Sequence, residues 1–293
     1  MLTRFKCSRF KQWKLSYEGE VMNNMIIKSM FGLPWLAIIA QKIGGSLIAL
    51  ARMVGEVVLF AQKGLAPLFS KPYYFRQIFK QMLEIGFYSL PVIGLTAIFT
   101  GAVLALQSYS GFSRFSAESS IPTVVVLSIT RELGPVLAGL MVAGRIGASF
   151  AAEIGTMRVT EQIDALTTLS TNPFRYLVFP RLLAGLLMLP LLVIVADIIG
   201  VMGGYLVSVH KLGFSAGPYL HNTLQFLEFR DVFSGLVKAA AFGFIISLMG
   251  CYHGYNSRGG AQGVGAATTN AVVSSSILIL LSNYIITELF FAL

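Results

Sequence analysis

Four ionisable residues of this sequence stand inside apolar runs, where charge is hard to keep: Arg131 and Glu132 after IPTVVVLSIT, Asp197 among Val193, Ile194, Ile198 and Ile199, and Lys238 in the run from 232 to 252. A charge at the middle of a bilayer costs several kcal/mol or more, so such residues meet one another, a polar neighbour or water. Arg131 and Glu132 are neighbours, and consecutive helical positions point about 100° apart, which makes them poor partners for each other. Lys238 is then the natural counter-charge for Glu132, and Asn283 adds an amide within the last apolar run. Two readings stay open at this point. The group is either an ionic lock that holds helices together or a polar patch lining a cavity. Asp197 reads as a local helix-packing group.

Other chemistry is sparse. His210, His221 and His253 lie at the edges of apolar runs without metal-ligand spacing and read as solvated interface residues; Ser274 to Ser276 read as helix-helix contacts. Cys7 and Cys251 form no framework. An intramembrane hydrolase needs a nucleophile with a positioned base or paired aspartates in facing spans, and neither pattern stands out. The G-x-x-x-x-G-K-[ST] loop is lacking, so any nucleotide hydrolysis belongs to another chain. No cofactor or metal is expected.

The elements that must position these residues follow from composition. Over 293 residues, 55% are hydrophobic, 12% are charged and mean hydropathy is +0.74, against about 25% charged in soluble domains. This is an all-α integral membrane protein. The net charge of +9 lies mostly between apolar runs rather than on one basic face, which argues against a nucleic-acid partner and for positive-inside topology.

Residues 1 to 30 read as a basic cytoplasmic tail, with Met22 and Met25 as alternative starts. Residues 31 to 86 read as interfacial helices: Lys42, Ser46, Arg52, Glu56 and Lys63 recur near helical spacing, and a second amphipathic piece covers Tyr73 to Glu84. Five spans are expected at about 87 to 109, 121 to 143, 177 to 208, 232 to 252 and 271 to 292, with Pro180 and Pro190 kinking the third or laying its start at the interface. Arg145, Arg158, Arg175, Arg181, Arg258 and the twelve Lys and Arg before residue 87 then fall on one side, with Arg114, Lys211 and Arg230 on the other. That asymmetry predicts a cytoplasmic N-terminus and a C-terminus on the opposite side.

The stretch RELGPVLAGLMVAGRIGASFAAEIGTMRVTEQIDAL, Arg131 to Leu166, changes character midway. Small residues recur every four positions at Gly139, Ala143, Gly147, Ala151 and Gly155, a stripe that admits another helix closely. Beyond Gly155 a short amphipathic helix is predicted, with Val159, Ile163 and Leu166 on one face and Arg158, Glu161 and Asp164 in solvent, built to dock on a partner.

This run, preceded by GAVLALQSYSGFSRFSAESS at 101 to 120, resembles the signature of MlaE-type permeases of ABC transporters associated with MCE proteins. The likeness covers about residues 70 to 293. It implies a homodimer with an interfacial helix and five spans per subunit, a permease domain over 87–293, and no enzymatic activity of its own. The partners implied are a cytoplasmic ABC ATPase gripping a coupling helix at Glu153 to Leu166, through Glu153, Arg158, Glu161 and Asp164, and a periplasmic MCE-domain lipid-binding protein. The substrate implied is phospholipid moved between inner and outer membranes to maintain outer-membrane asymmetry, from the cell inner membrane. Its cavity would be lined by Leu104, Gly111, Phe112 and Phe115, with membrane charges at Arg131, Glu132 and Lys238; Asn283 replaces the Asp usual at its position. A membrane scaffold that recruits partners without transport is the rival reading.

Overall fold

The computed structural model describes residues 34–69 and 73–291, with side chains over 41–68 and 73–291; the basic tail read over 1–30 lies outside them. The described residues form helices and turns, in keeping with the all-α expectation. The chain divides into two units, Met1–Leu59 and Phe60–Leu293.

The whole described part of the first unit belongs to helix α1 (Pro34–Leu65), which runs on into the second. Ile43, Leu47, Ile48, Leu50, Met53 and Val54 are all exposed. Among the described residues, six helices are long and apolar enough to cross a membrane, one more than the five spans expected, and the extra one is Gln41–Leu68, read from sequence as interfacial. The difference lies in how its charges are disposed. Arg52 Nε meets Glu56 Oε1 at 3.1 Å one turn on, so the two middle charges offset each other and Lys42 and Lys63 stand near the ends.

In the second unit, α2 (Phe75–Ile85) passes through a short turn at Phe87–Ser89 into α3 (Leu90–Phe112), whose Pro91 sits in the first turn where no donor is required. Next come α4 (Ile121–Ser128), α5 (Gly134–Val142) and α6 (Ala148–Val159), joined by π turns at Ile129–Leu133 and Ala143–Gly147 into one candidate span, Glu118–Val159. The second π turn, at Ala143–Gly147, falls within the stripe of small residues and fits its spacing. Steps of four overshoot a 3.6-residue turn by about 40° each, and a wider π turn takes part of that drift back. Gly139 thus faces Phe242, Gly147 faces Ile246, and the carbonyls of Gly147 and Ala151 lie 3.0 and 2.9 Å from where Cβ atoms at Gly250 and Gly254 would stand.

After α7 (Gln162–Thr168), a third π turn at Phe174–Val178 leads into α8 (Phe179–His210). This helix is broken at neither proline: Pro180 occupies its first turn and Pro190 lies within it. Short α9 (Ala216–Gln225) precedes α10 (Phe229–Tyr255) and α11 (Gly260–Phe291). Two crossings are close enough to need glycine: a Cβ at Gly101 of α3 would stand 1.9 Å from the Gly200 carbonyl oxygen of α8, and where α8 meets α10 Cβ atoms at Gly243 and Gly185 would stand 2.1 and 2.6 Å from the other glycine's carbonyl oxygen. Only hydrogen at these positions permits that approach.

Candidate functional site

Three of the four charges singled out in the sequence, Arg131, Glu132 and Lys238, meet where the first π turn faces α10 and α11. Arg131 and Glu132, both in that turn, reach different partners. Lys238 Nζ donates to Glu132 Oε1 at 2.7 Å and to the backbone carbonyl of Arg131 at 2.8 Å. Asn283 Nδ2 donates to Glu132 Oε2 at 2.8 Å, and Thr287 Oγ1, one turn along α11, lies 3.0 Å from Oε1. Arg131 turns away to Asp231, with Nε and Nη2 each 2.7 Å from Oδ1 and the guanidinium 4.5 Å from the centre of the Phe291 ring. The four formal charges sum to zero. That balance lets a polar cluster persist in an apolar setting, where an unmatched charge would not.

Burial within the cluster is uneven. The Lys238 side chain is 0% exposed, whereas that of Glu132 is 39% exposed. Asn283 Oδ1 is buried without a hydrogen-bond partner. The cluster is therefore closed around the lysine and open at the carboxylate, beside an unused acceptor.

The remaining sequence candidates separate. Leu104 and Phe112 pack against the buried group Ala105, Ile121, Val125 and Ile129, together with Tyr109 and Phe214. Gly111 is exposed with nothing within 4 Å of a Cβ placed on it, and Phe115 is 81% exposed. Asp197 Oδ1 is buried with no hydrogen bond and lies 1.9 Å from where a Cβ at Gly134 would stand. It packs on the residue that follows the π turn. Of the histidines, His210 and His221 are exposed, but His253 is half-buried with Nε2 3.0 Å from Ser274 Oγ, so it bridges α10 to α11 rather than facing water. Ser274 therefore does make a helix-helix contact. All three serines also donate to carbonyls of their own helix, the usual outlet for a hydroxyl in an apolar helix, and the buried Ser275 faces Gly147.

The predicted single helix over Gly155 to Leu166 is in fact a corner. α6 ends at Val159, Glu161 takes φ 60° as the residue ahead of α7, and α7 begins at Gln162. The face read from sequence is split by this corner, leaving Ile163 buried and Val159 exposed. Arg158 Nη1 ties the corner across to Asp164 Oδ1 at 2.8 Å. Glu153 Oε2 meets Arg181 Nη2 at 2.6 Å, and Arg181 also donates to the Leu177 carbonyl at 2.9 Å beneath the Phe150 ring. A polar cleft of about 640 Å³ opens here, lined among others by Gln77, Gln81, Glu84, Glu153, Gln162 and Arg181. Glu161 stays exposed at the tip of the corner.

Residues 78–289 match the family described as Permease MlaE. The chain belongs to this family. It is 65% identical over 253 residues to a probable ABC transporter permease protein of Rickettsia bellii, spanning 86% of this chain and 98% of that one. A probable ABC transporter permease protein of Synechocystis is 43% identical over 74% of this chain and 82% of its own length. The intermembrane phospholipid transport system permease protein MlaE of Haemophilus influenzae is 37% identical over 74% of this chain and 84% of its own. The protein is a multi-pass membrane permease.

In this MlaE-family permease the structure adds residues that sequence reasoning passed over. Asp231 holds Arg131 through one oxygen, while its other accepts the Glu228 N–H at 3.2 Å within a capping box. An acid three residues into an apolar helix, after a Glu, was the available signal. Thr287 had only its four-residue spacing from Asn283. Arg145, counted only as a topology charge, donates to Ser89 Oγ at 2.7 Å and to the Glu84 carbonyl at 3.2 Å, fastening the second π turn to the end of α2. Nothing in the local sequence foretold that contact.

Proposed function

We propose that this permease is the membrane subunit of an ABC complex that moves phospholipid between the inner and outer membranes and so maintains outer-membrane lipid asymmetry. It works as a homodimer in the cell inner membrane, with a cytoplasmic N-terminus, a separate cytoplasmic ABC ATPase and a periplasmic MCE-domain lipid-binding protein. The observation that carries this reading is the neutral cluster of Arg131, Glu132, Lys238 and Asp231, closed around Lys238 but exposed at Glu132. A lock needs no open side. An exposed carboxylate suits contact with the ammonium of a zwitterionic head group, and the exposed Phe115 offers an apolar surface for acyl chains. The name of the Haemophilus relative supports the same substrate class.

The corner at Val159 to Gln162 supports ATPase docking through Glu153, Arg158, Glu161 and Asp164. Its two ion pairs make a stiff lever, and Arg181 links that lever to α8. Reconstituting the permease with its ATPase and carrier in vesicles and following ATP-dependent transfer of labelled phospholipid tests the reading. Transfer that persists with Glu132→Gln and Lys238→Met combined would reject a transport role for the cluster. Recovery of the purified chain with no ATPase under mild extraction would favour the scaffold.

A further inference from the structure

Helix α2 carries two cations that the fold does not use. Arg76 and Lys80 are both exposed, and neither meets a carboxylate among the described residues, although Glu84 on the same helix is engaged by Arg145. They stand one turn apart, and Phe79 and Leu83 follow each of them by three positions, so the cations stand at the border between the apolar side of the helix and its polar side, where Lys80 also lines the polar cleft. On that side lies a groove of about 340 Å³, walled by Phe79, Met82 and Leu83 of α2, by Phe87, and by Met188 and Leu191 of α8 among others. No charged residue lines it. Phe79 and Phe87 are 64% and 65% exposed, so the groove opens outward rather than into the helix bundle. The candidate span containing α2 begins at Phe75, which puts the cation pair at its end and the groove deeper along it.

We propose that this groove is a binding site for an anionic phospholipid, its phosphate held between Arg76 and Lys80 and an acyl chain laid between α2 and α8. Paired cations at the end of a span beside an uncharged groove match that ligand at both of its ends. Neither feature alone would select it, since an apolar groove accepts any acyl chain and an exposed cation pair any anion. The site is separate from the Glu132 cluster and from the substrate proposed there. It requires only that α2 and α3 meet a bilayer, so its failure leaves the transport reading untouched.

The test uses the full chain with Trp13→Phe, Trp35→Phe and Phe87→Trp, in nanodiscs of phosphatidylcholine containing brominated phosphatidylglycerol or brominated phosphatidylcholine. Bromine on an acyl chain in the groove quenches the new indole. Quenching per mole is expected to favour phosphatidylglycerol by on the order of tenfold, the scale of two basic residues at a membrane surface. Arg76→Gln with Lys80→Gln should bring that ratio to about one, and Lys63→Gln, a cation away from the groove, should leave it in place. Leu83→Gln with Leu191→Gln should weaken quenching by both lipids. A ratio near one in the parent, a ratio that survives the Arg76 and Lys80 changes, or an equal loss with Lys63→Gln overturns the proposal. Both cations are exposed, so circular dichroism melts of the Gln variants should match the parent and separate loss of the site from loss of the fold.

Discussion

Lys238 is wholly buried while the carboxylate it pairs with, Glu132 at 2.7 Å, keeps 39% of its side chain exposed. The two halves of this pair are therefore not equivalent. Lys238 spends a second hydrogen bond on the Arg131 carbonyl, in a π turn whose ladder differs from that of an α-helix, and Glu132 gathers Asn283 and Thr287 from α11. One residue closes the packing and the other looks outward.

Removing Glu132 strands a buried ammonium, and removing Lys238 strands a half-exposed carboxylate that keeps two other donors. Glu132→Gln should destabilise by about 3 kcal/mol and Lys238→Met by nearer 1 kcal/mol, with the double change recovering most of the larger loss. Thermal melts of the three variants check the order. Equal losses would show that Glu132 is as enclosed as its partner.

The corner makes a separate forecast at Glu161. A left-handed backbone costs a residue with a side chain about 1 to 2 kcal/mol, and most of all a β-branched one. Glu161→Val should therefore lower the melting temperature and Glu161→Gly should not. Glu161→Lys should leave the melt unchanged and weaken co-purification of the ATPase by tenfold or more, the effect of a reversed charge at an interface. Undiminished ATPase recovery with the lysine variant would remove Glu161 from the docking surface.

Two glycines should respond in opposite senses to the same change. At Gly243 an added methyl would sit 2.1 Å from the Gly185 carbonyl oxygen, so Gly243→Ala must push α8 and α10 apart, at about 2 to 3 kcal/mol. At Gly111, with open space around it in the last turn of α3, alanine should be neutral or stabilising by up to about 1 kcal/mol. Comparing the melting temperatures of the two variants checks the crossing.

Asp197 gives the last forecast. Its Oδ1 is buried on Gly134 without a partner, so the charge contributes nothing to packing that the shape does not. Asp197→Asn should hold or raise the melting temperature, and Gly134→Ala, which drives a methyl into that oxygen, should destabilise the fold by at least about 2 kcal/mol. A marked loss in Asp197→Asn would mean that the carboxylate has a required partner.

What the sequence determined by itself was set by periodicity and by the price of polar groups in hydrocarbon. Apolar runs long enough to cross, a stripe of small residues at every fourth position, and the choice of Lys238 over Arg131 as the partner of Glu132 follow from helix geometry and local composition. The tertiary structure decided whatever depended on which surfaces face each other. It sent Arg131 to Asp231, 100 positions away, and Glu153 to Arg181. It also broke the run from Gly155 to Leu166 at a left-handed Glu161, between the end of one helix at Val159 and the start of the next at Gln162. The π turn at Ala143–Gly147 stands between the two: the four-residue spacing was visible in the sequence, but that Gly139 and Gly147 both lie against α10 across that turn is decided only by the packing.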